Sequence, residues 1–128
     1  MTAYPSAPEV LYELVDGQSF DGQEAAAYLR LQVDFTDNLP AVLIYDLGGT
    51  ESYIDRTDRV GVDVYAAAGT AAKRVAEAIK DAVKDRPHDT THGYIDSITV
   101  ETTPVDVPYA DPDVSQAQMV LRVTSRPL

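Results

Sequence analysis

The sequence predicts an α+β fold, a mostly antiparallel four-stranded sheet with helices packed on one face. Three observations predict it. Val60, Val62, Val64 and Ala66 alternate with Gly61, Asp63 and Tyr65, which is the period of a strand with one apolar face. Next, Ala72, Val75, Ala76, Ile79, Ala82 and Val83 fall on one side of a helix, while Lys73, Arg74, Glu77, Lys80, Asp81 and Lys84 cover the other. Two more alternating segments follow, and the order strand, strand, helix, strand, strand lays helices across one face of a sheet.

The N-terminal segment starts irregularly around Pro5, Ser6 and Pro8. Val10, Leu11 and Leu14 then recur at helical spacing, with Pro8 suited to a first turn and Gly17 to the end. From Gln23 to Leu31 the helix formers Glu24, Ala25, Ala26 and Ala27 predict a helix that turns into extended chain toward Val33 and Phe35. Thr36 to Pro40 supplies turn chemistry. Ala41 to Leu47 has the length and composition of a buried strand, which Gly48 and Gly49 are expected to end.

Gly69 and Thr70 open the second helix, and Arg86 and Pro87 stop it. Lys80, Lys84 and Arg86 in its last turns suit the negative end of the helix dipole. His88 to Gly93 is expected to be a loop. Tyr94, Ile98 and Val100 predict a third strand, and Met119, Leu121 and Val123 a fourth. Between them Thr103 to Ser115, with Pro104, Pro108 and Pro112, reads as a long loop that meets a partner.

At 128 residues the chain is expected to form one domain over 1–128, with 1–22 as an N-terminal extension. Apolar residues at 45% and charged residues at 24% match folded globular domains. The chain has no apolar run of membrane-spanning length and no basic, apolar leader, so it is expected to be soluble and made in the cytoplasm. Without cysteine it has no disulfide, thiolate metal site or Cys nucleophile. The net charge of −11 repels phosphates and argues against tight DNA binding or a membrane surface. Residues 1 to 40 carry seven acids and one base, the rest fourteen acids and nine bases.

Motifs that carry chemistry are sparse. His88 and His92 would need a helix to face one metal, and Pro87, Thr90, Thr91 and Gly93 favour a loop instead. Gly48 and Gly49 lack the rest of a phosphate loop, and no G-x-S-x-G elbow exists. Asp111 and Asp113 lack the calcium-loop pattern around them. The chain is therefore expected to be no enzyme and to hold no metal or cofactor; Asp63, His88 and His92 are the first residues to substitute if turnover were found. Eight tyrosines remain, and those beside strands and loops either anchor a subunit interface or pack the edge of the core. The candidate partner or subunit interface is Gly48, Gly49, Tyr53, Tyr65, Tyr109, Asp111 and Asp113.

The order of Leu39-Pro40-Ala41-Val42, the Gly48-Gly49 break, Asp58 leading into Val62-Asp63-Val64-Tyr65-Ala66, the alanine-rich helix from Thr70 to Asp85 and the Pro/Tyr loop before Met119 to Arg122 resembles the tail-terminator, or tail-completion, proteins of long-tailed bacteriophages. The resemblance runs from about Tyr28 onward and is one of arrangement and length. It implies a structural virion protein at the head-proximal end of the tail. Such a subunit forms a homo-oligomeric ring, a hexamer in the virion, that caps the tail tube, ends its polymerisation and joins it to the head connector. Its expected partners are further copies of itself, the tail tube protein and the head-tail connector proteins, with DNA passing through without tight binding. The acidic segment around Asp16, Asp21 and Glu24 has no counterpart in that pattern. The alternatives are another neck component, such as a stopper or head-completion protein, and a small ligand-binding α+β domain.

Overall fold

Strand β5 (Arg56–Ala67) forms the middle of the structure, a computed structural model that describes residues 3–128. It pairs antiparallel with β4 (Ala41–Glu51) on one side and β8 (Val114–Ser125) on the other. Beyond β8 lies β7 (Gly93–Val107), again antiparallel. Two three-residue strands finish the edges: β3 (Ala26–Tyr28) runs parallel to the start of β4, and β6 (His88–Thr90) folds back on β7. A separate pair, β1 (Ser19–Phe20) and β2 (Gln23–Glu24), precedes them.

The expected four-stranded, mostly antiparallel sheet is thus replaced by a six-stranded mixed sheet of order β3-β4-β5-β8-β7-β6 plus a two-stranded one. The reason is length. Strands of two or three residues complete no period that a sequence pattern can register.

Both helices, α1 (Ala7–Val15) and α2 (Ala71–Val83), share one core with Val42, Ile44, Val60, Val62, Val64, Met119 and Leu121. Strand pairs such as Val62–Met119 and Val60–Leu121 put these side chains on the same face. Burying each large aliphatic chain contributes about 1.5–3 kcal/mol, and truncating the fully buried Ile79 to Ala would cost about 2–5 kcal/mol. Pro8 sits in the first turn of α1, where its missing N–H costs nothing. For α2 the cap comes from another strand: the Ser115 hydroxyl accepts the Ala72 N–H at 3.1 Å and donates to the Ala67 carbonyl at 2.6 Å.

Four further expectations are corrected. Residues 23–31 form β2, β3 and bends instead of a helix. Ala25 and Ala27 are buried while Ala26 and Tyr28 are half-buried, and Asp16 at the end of α1 accepts the Ala27 N–H at 3.0 Å, so tertiary contacts override helix propensity. Gly48 and Gly49 do not end β4, which bulges there and continues to Glu51. His88 to Gly93 is largely β6 and its turn, paired His88–Ile95 and Thr90–Gly93. Residues 103–107 and 114–115 belong to β7 and β8, which leaves only 108–113 as a connection. Pro104 is tolerated because β7 has its partner on one side there and its register shifts between Val100 and Thr102 and again between Thr102 and Val105.

Candidate functional site

The candidate residues separate to opposite ends of the sheet. Gly48, Gly49 and Tyr53 belong to the β4–β5 hairpin, which leaves the core at Asp46 and is exposed from there to Ile54. Tyr65, Tyr109, Asp111 and Asp113 lie at the other end, where β5 finishes and β7 turns into β8.

Close approach builds the arm. Gly48 has φ +81°, a conformation that L side chains rarely adopt, and its N–H donates to Asp46 Oδ1 at 2.8 Å. At Gly49 a Cβ would lie 2.0 Å from the Thr57 carbonyl oxygen, so only glycine allows the two strands to meet. The turn beyond is held by Ser52, whose N–H donates to the Asp55 carbonyl at 2.8 Å. Its hydroxyl donates to Asp55 Oδ1 at 2.9 Å and accepts the Ile54 and Asp55 N–H groups. This leaves Tyr53 at 101% and Ile54 at 69% exposure, with Leu47 lower on the arm at 40%. At the base, Asp58 is buried, and Arg56 Nε donates to it at 2.9 Å while the same guanidinium lies 5.8 Å from the Tyr4 ring centroid.

At the opposite end Tyr65 is buried, and Tyr109, more exposed, lies against the same aromatic cluster. Phe35, from a short 3₁₀ turn (Phe35–Asn38), packs edge-on to Tyr65 at 4.9 Å and stacks on Tyr109 at 6.4 Å. A small second core of Phe35, Ala41, Tyr65 and Val114 therefore covers this end of the sheet face that the helices leave open. Asp111 is turned to its own loop, where Oδ1 accepts the Asp113 N–H at 2.9 Å.

The middle of the open face is polar and paired. Tyr45 donates to Asp63 Oδ1 at 2.9 Å. Burial pushes the Asp63 carboxyl above its ordinary value, against its hydrogen bonds from Tyr45 and Gln118, and burial likewise raises the Tyr45 phenol to about 12. Arg59 and Arg122 oppose each other across β5 and β8, and both reach Glu101 on β7, at 2.7 Å and 3.0 Å. The two guanidinium groups hold that carboxyl below its usual range.

His88 and His92 take different partners. His88 Nε2 lies 2.8 Å from the Val83 carbonyl, and His92 Nδ1 lies 3.3 Å from Glu9 on α1. Among the described residues no cluster of metal-ligating side chains forms, and no helix is long and apolar enough to cross a membrane. Sequence reading missed Ile54, Leu47 and the Arg59–Glu101–Arg122 group. Tyr53-Ile54, beside a Ser-x-x-Asp turn, was the available signal for the first; cross-strand pairing carries the last and leaves none.

Comparison with solved structures finds a similar fold in a chain of a structure described as the virion of a native gene transfer agent particle. The likeness has a TM-score of 0.55 and 16% sequence identity, and it covers 94% of this chain and 87% of that one. No family model and no curated protein matches the sequence.

Proposed function

We propose that this chain is a structural protein of a phage-like virion, and more narrowly the terminator that caps the tail tube as a ring. The observation that carries the proposal is the shared fold with a chain of the gene transfer agent virion, which spans nearly the whole length of both. The exposed arm, with Tyr53 and Ile54 held out in solvent by a hydrogen-bonded turn, supports an assembly role. In this reading the ring is a hexamer at the head-proximal end of the tail. It binds the last ring of tube protein, refuses a further one and offers its other side to the head connector.

The net charge of −11 suits a ring that lets DNA pass without holding it. The open sheet face supplies little of that charge, since Arg59 and Arg122 offset Glu101 and Asp63 there. The acids of the loops and of α1 supply the rest.

Electron microscopy of tails assembled from tube protein with and without this chain tests the proposal. Tubes of uniform length with a ring at one end support it. Chain bound to the connector and absent from the tube would replace it with another neck component, and a chain bound to neither would overturn the virion reading.

A further inference from the structure

Four separate segments meet at the end of the sheet that carries the β4–β5 turn, and they are tied to one another. The Leu128 N–H donates to the Ala3 carbonyl at 2.8 Å. Gly93, at φ +133°, leaves room for both chain segments beside the start of β7: a Cβ there would lie 2.7 Å from Pro5 Cγ and 2.8 Å from Leu128 Cδ2. Arg126 Nη2 donates to Asp96 Oδ1 at 2.8 Å, and the Arg56 guanidinium lies over the Tyr4 ring. Together with the Ser52 turn, these contacts fix the surface in advance.

That surface is apolar where it meets water. Tyr53, Ile54, Tyr94 and Leu128 are all exposed. Two open grooves, of about 480 and 410 Å³, meet at Pro127, one running past Tyr4 and Tyr53 and the other past Tyr94 and Leu128. Large apolar side chains left in solvent contribute nothing to the fold, and contiguous patches of them mark contact sites. A patch already held in place loses little conformational entropy when a partner covers it.

Charge selects the occupant. Residues 46–55 carry three acids, Asp46, Glu51 and Asp55, and no base. The two bases beside the patch are already engaged, Arg56 with Asp58 at 2.9 Å and Arg126 with Asp96. This end therefore repels DNA phosphates and anionic lipid, and a second copy presenting the same end would set acid against acid. What it fits is a protein surface of apolar side chains rimmed by lysine or arginine.

We infer that this end of the subunit is its docking end for a different virion protein, one that covers Tyr53, Ile54, Tyr94 and Pro127 with apolar side chains and meets Glu51 and Asp55 with basic ones. The class of partner rests on the virion reading, and the inference adds which end of the subunit receives it.

Photo-crosslinking tests it. The full chain carries p-benzoylphenylalanine in place of Tyr53 or of Tyr94, an aromatic for an aromatic, or in place of Asp111 at the opposite end as the control. Each is irradiated on tails assembled with tube and connector proteins, and the linked peptides are identified by mass spectrometry. The expected result is that positions 53 and 94 link to one protein other than this chain, within a segment that carries lysine or arginine, and that position 111 does not link to it. Glu51→Lys with Asp55→Lys should cut the linkage severalfold. Capped tails without these links, or with links only to another copy, would overturn this docking end and leave the virion reading standing. Links to the connector on uncapped tails would support the docking end and overturn capping, and a chain that joins no tail and links to neither protein would overturn both.

Discussion

The ring of Tyr45 occupies the space that a side chain at Gly61 would need: a Cβ there would lie 2.3 Å from Tyr45 Cε2, and the two residues are paired across β4 and β5. The aromatic ring covers the bare glycine backbone, and its hydroxyl is aimed at Asp63. Gly61→Ala therefore forces the ring away and breaks its hydrogen bond. The expected loss is about 1–3 kcal/mol, read as a lower urea midpoint with unchanged slope.

Gly49→Ala should cost more than Gly61→Ala, because the clash is with the Thr57 backbone and no side chain can rotate aside. The arm beyond it should become protease-sensitive while α2 stays protected. Limited proteolysis with mass mapping reads both; an arm that remains resistant would contradict the close-approach argument.

Two carboxylates should tilt the pH profile in opposite senses. Asp63 has its folded pKa raised by burial above 3.8, so the folded state holds the proton longer than the unfolded chain does. Its contribution is complete below the unfolded pKa and is lost as pH rises through the folded one. Glu101 has its folded pKa lowered below 4.5 by Arg59 and Arg122, so its contribution is present above 4.5 and is lost as pH falls through the folded value. Urea midpoints across the acid range should show Asp63→Asn removing the first slope and Glu101→Gln the second. At the alkaline end Tyr45→Phe should abolish a loss of stability that begins at the ordinary phenol value of 10.0 and runs to about 12.

The paired variant Tyr53→Ala, Ile54→Ala should melt within about 0.5 kcal/mol of the unchanged chain, since both side chains stand in solvent. The same variant should lose its place on tails. A clear drop in stability would mean that the tip packs on its own fold, and capping that survives would free the tip of any docking role.

Much of the fold was legible where periods are long. Val60 to Ala66 and Ala72 to Val83 repeat often enough for alternation and helical spacing to separate, and both elements lie where expected, although Ala82 turns outward. The far ends of β4 and β7 were not legible. There the strands leave the core, so Thr50, Thr102 and Asp106 have no buried face to impose a pattern, and Gly48 and Pro104 read as stops when they are a bulge and an edge position. The alanines of 25–27 were misread because a small residue suits a helix and equally suits a strand pressed beneath α1. Of the candidate site, Tyr53 stood out only as one of several tyrosines beside strands and loops, and Tyr65 and Tyr109 gave no sign of meeting Phe35, a contact that only the folded chain creates.

β8 is the last strand in the sequence yet lies between β5 and β7, near the middle of the sheet. During synthesis the β4–β5 hairpin can close early, but β5 and β7 must wait with facing edges bare until β8 emerges to fill the gap. The sheet therefore closes only after β8 has been made, and until then its bare strand edges are open to any factor that shields them.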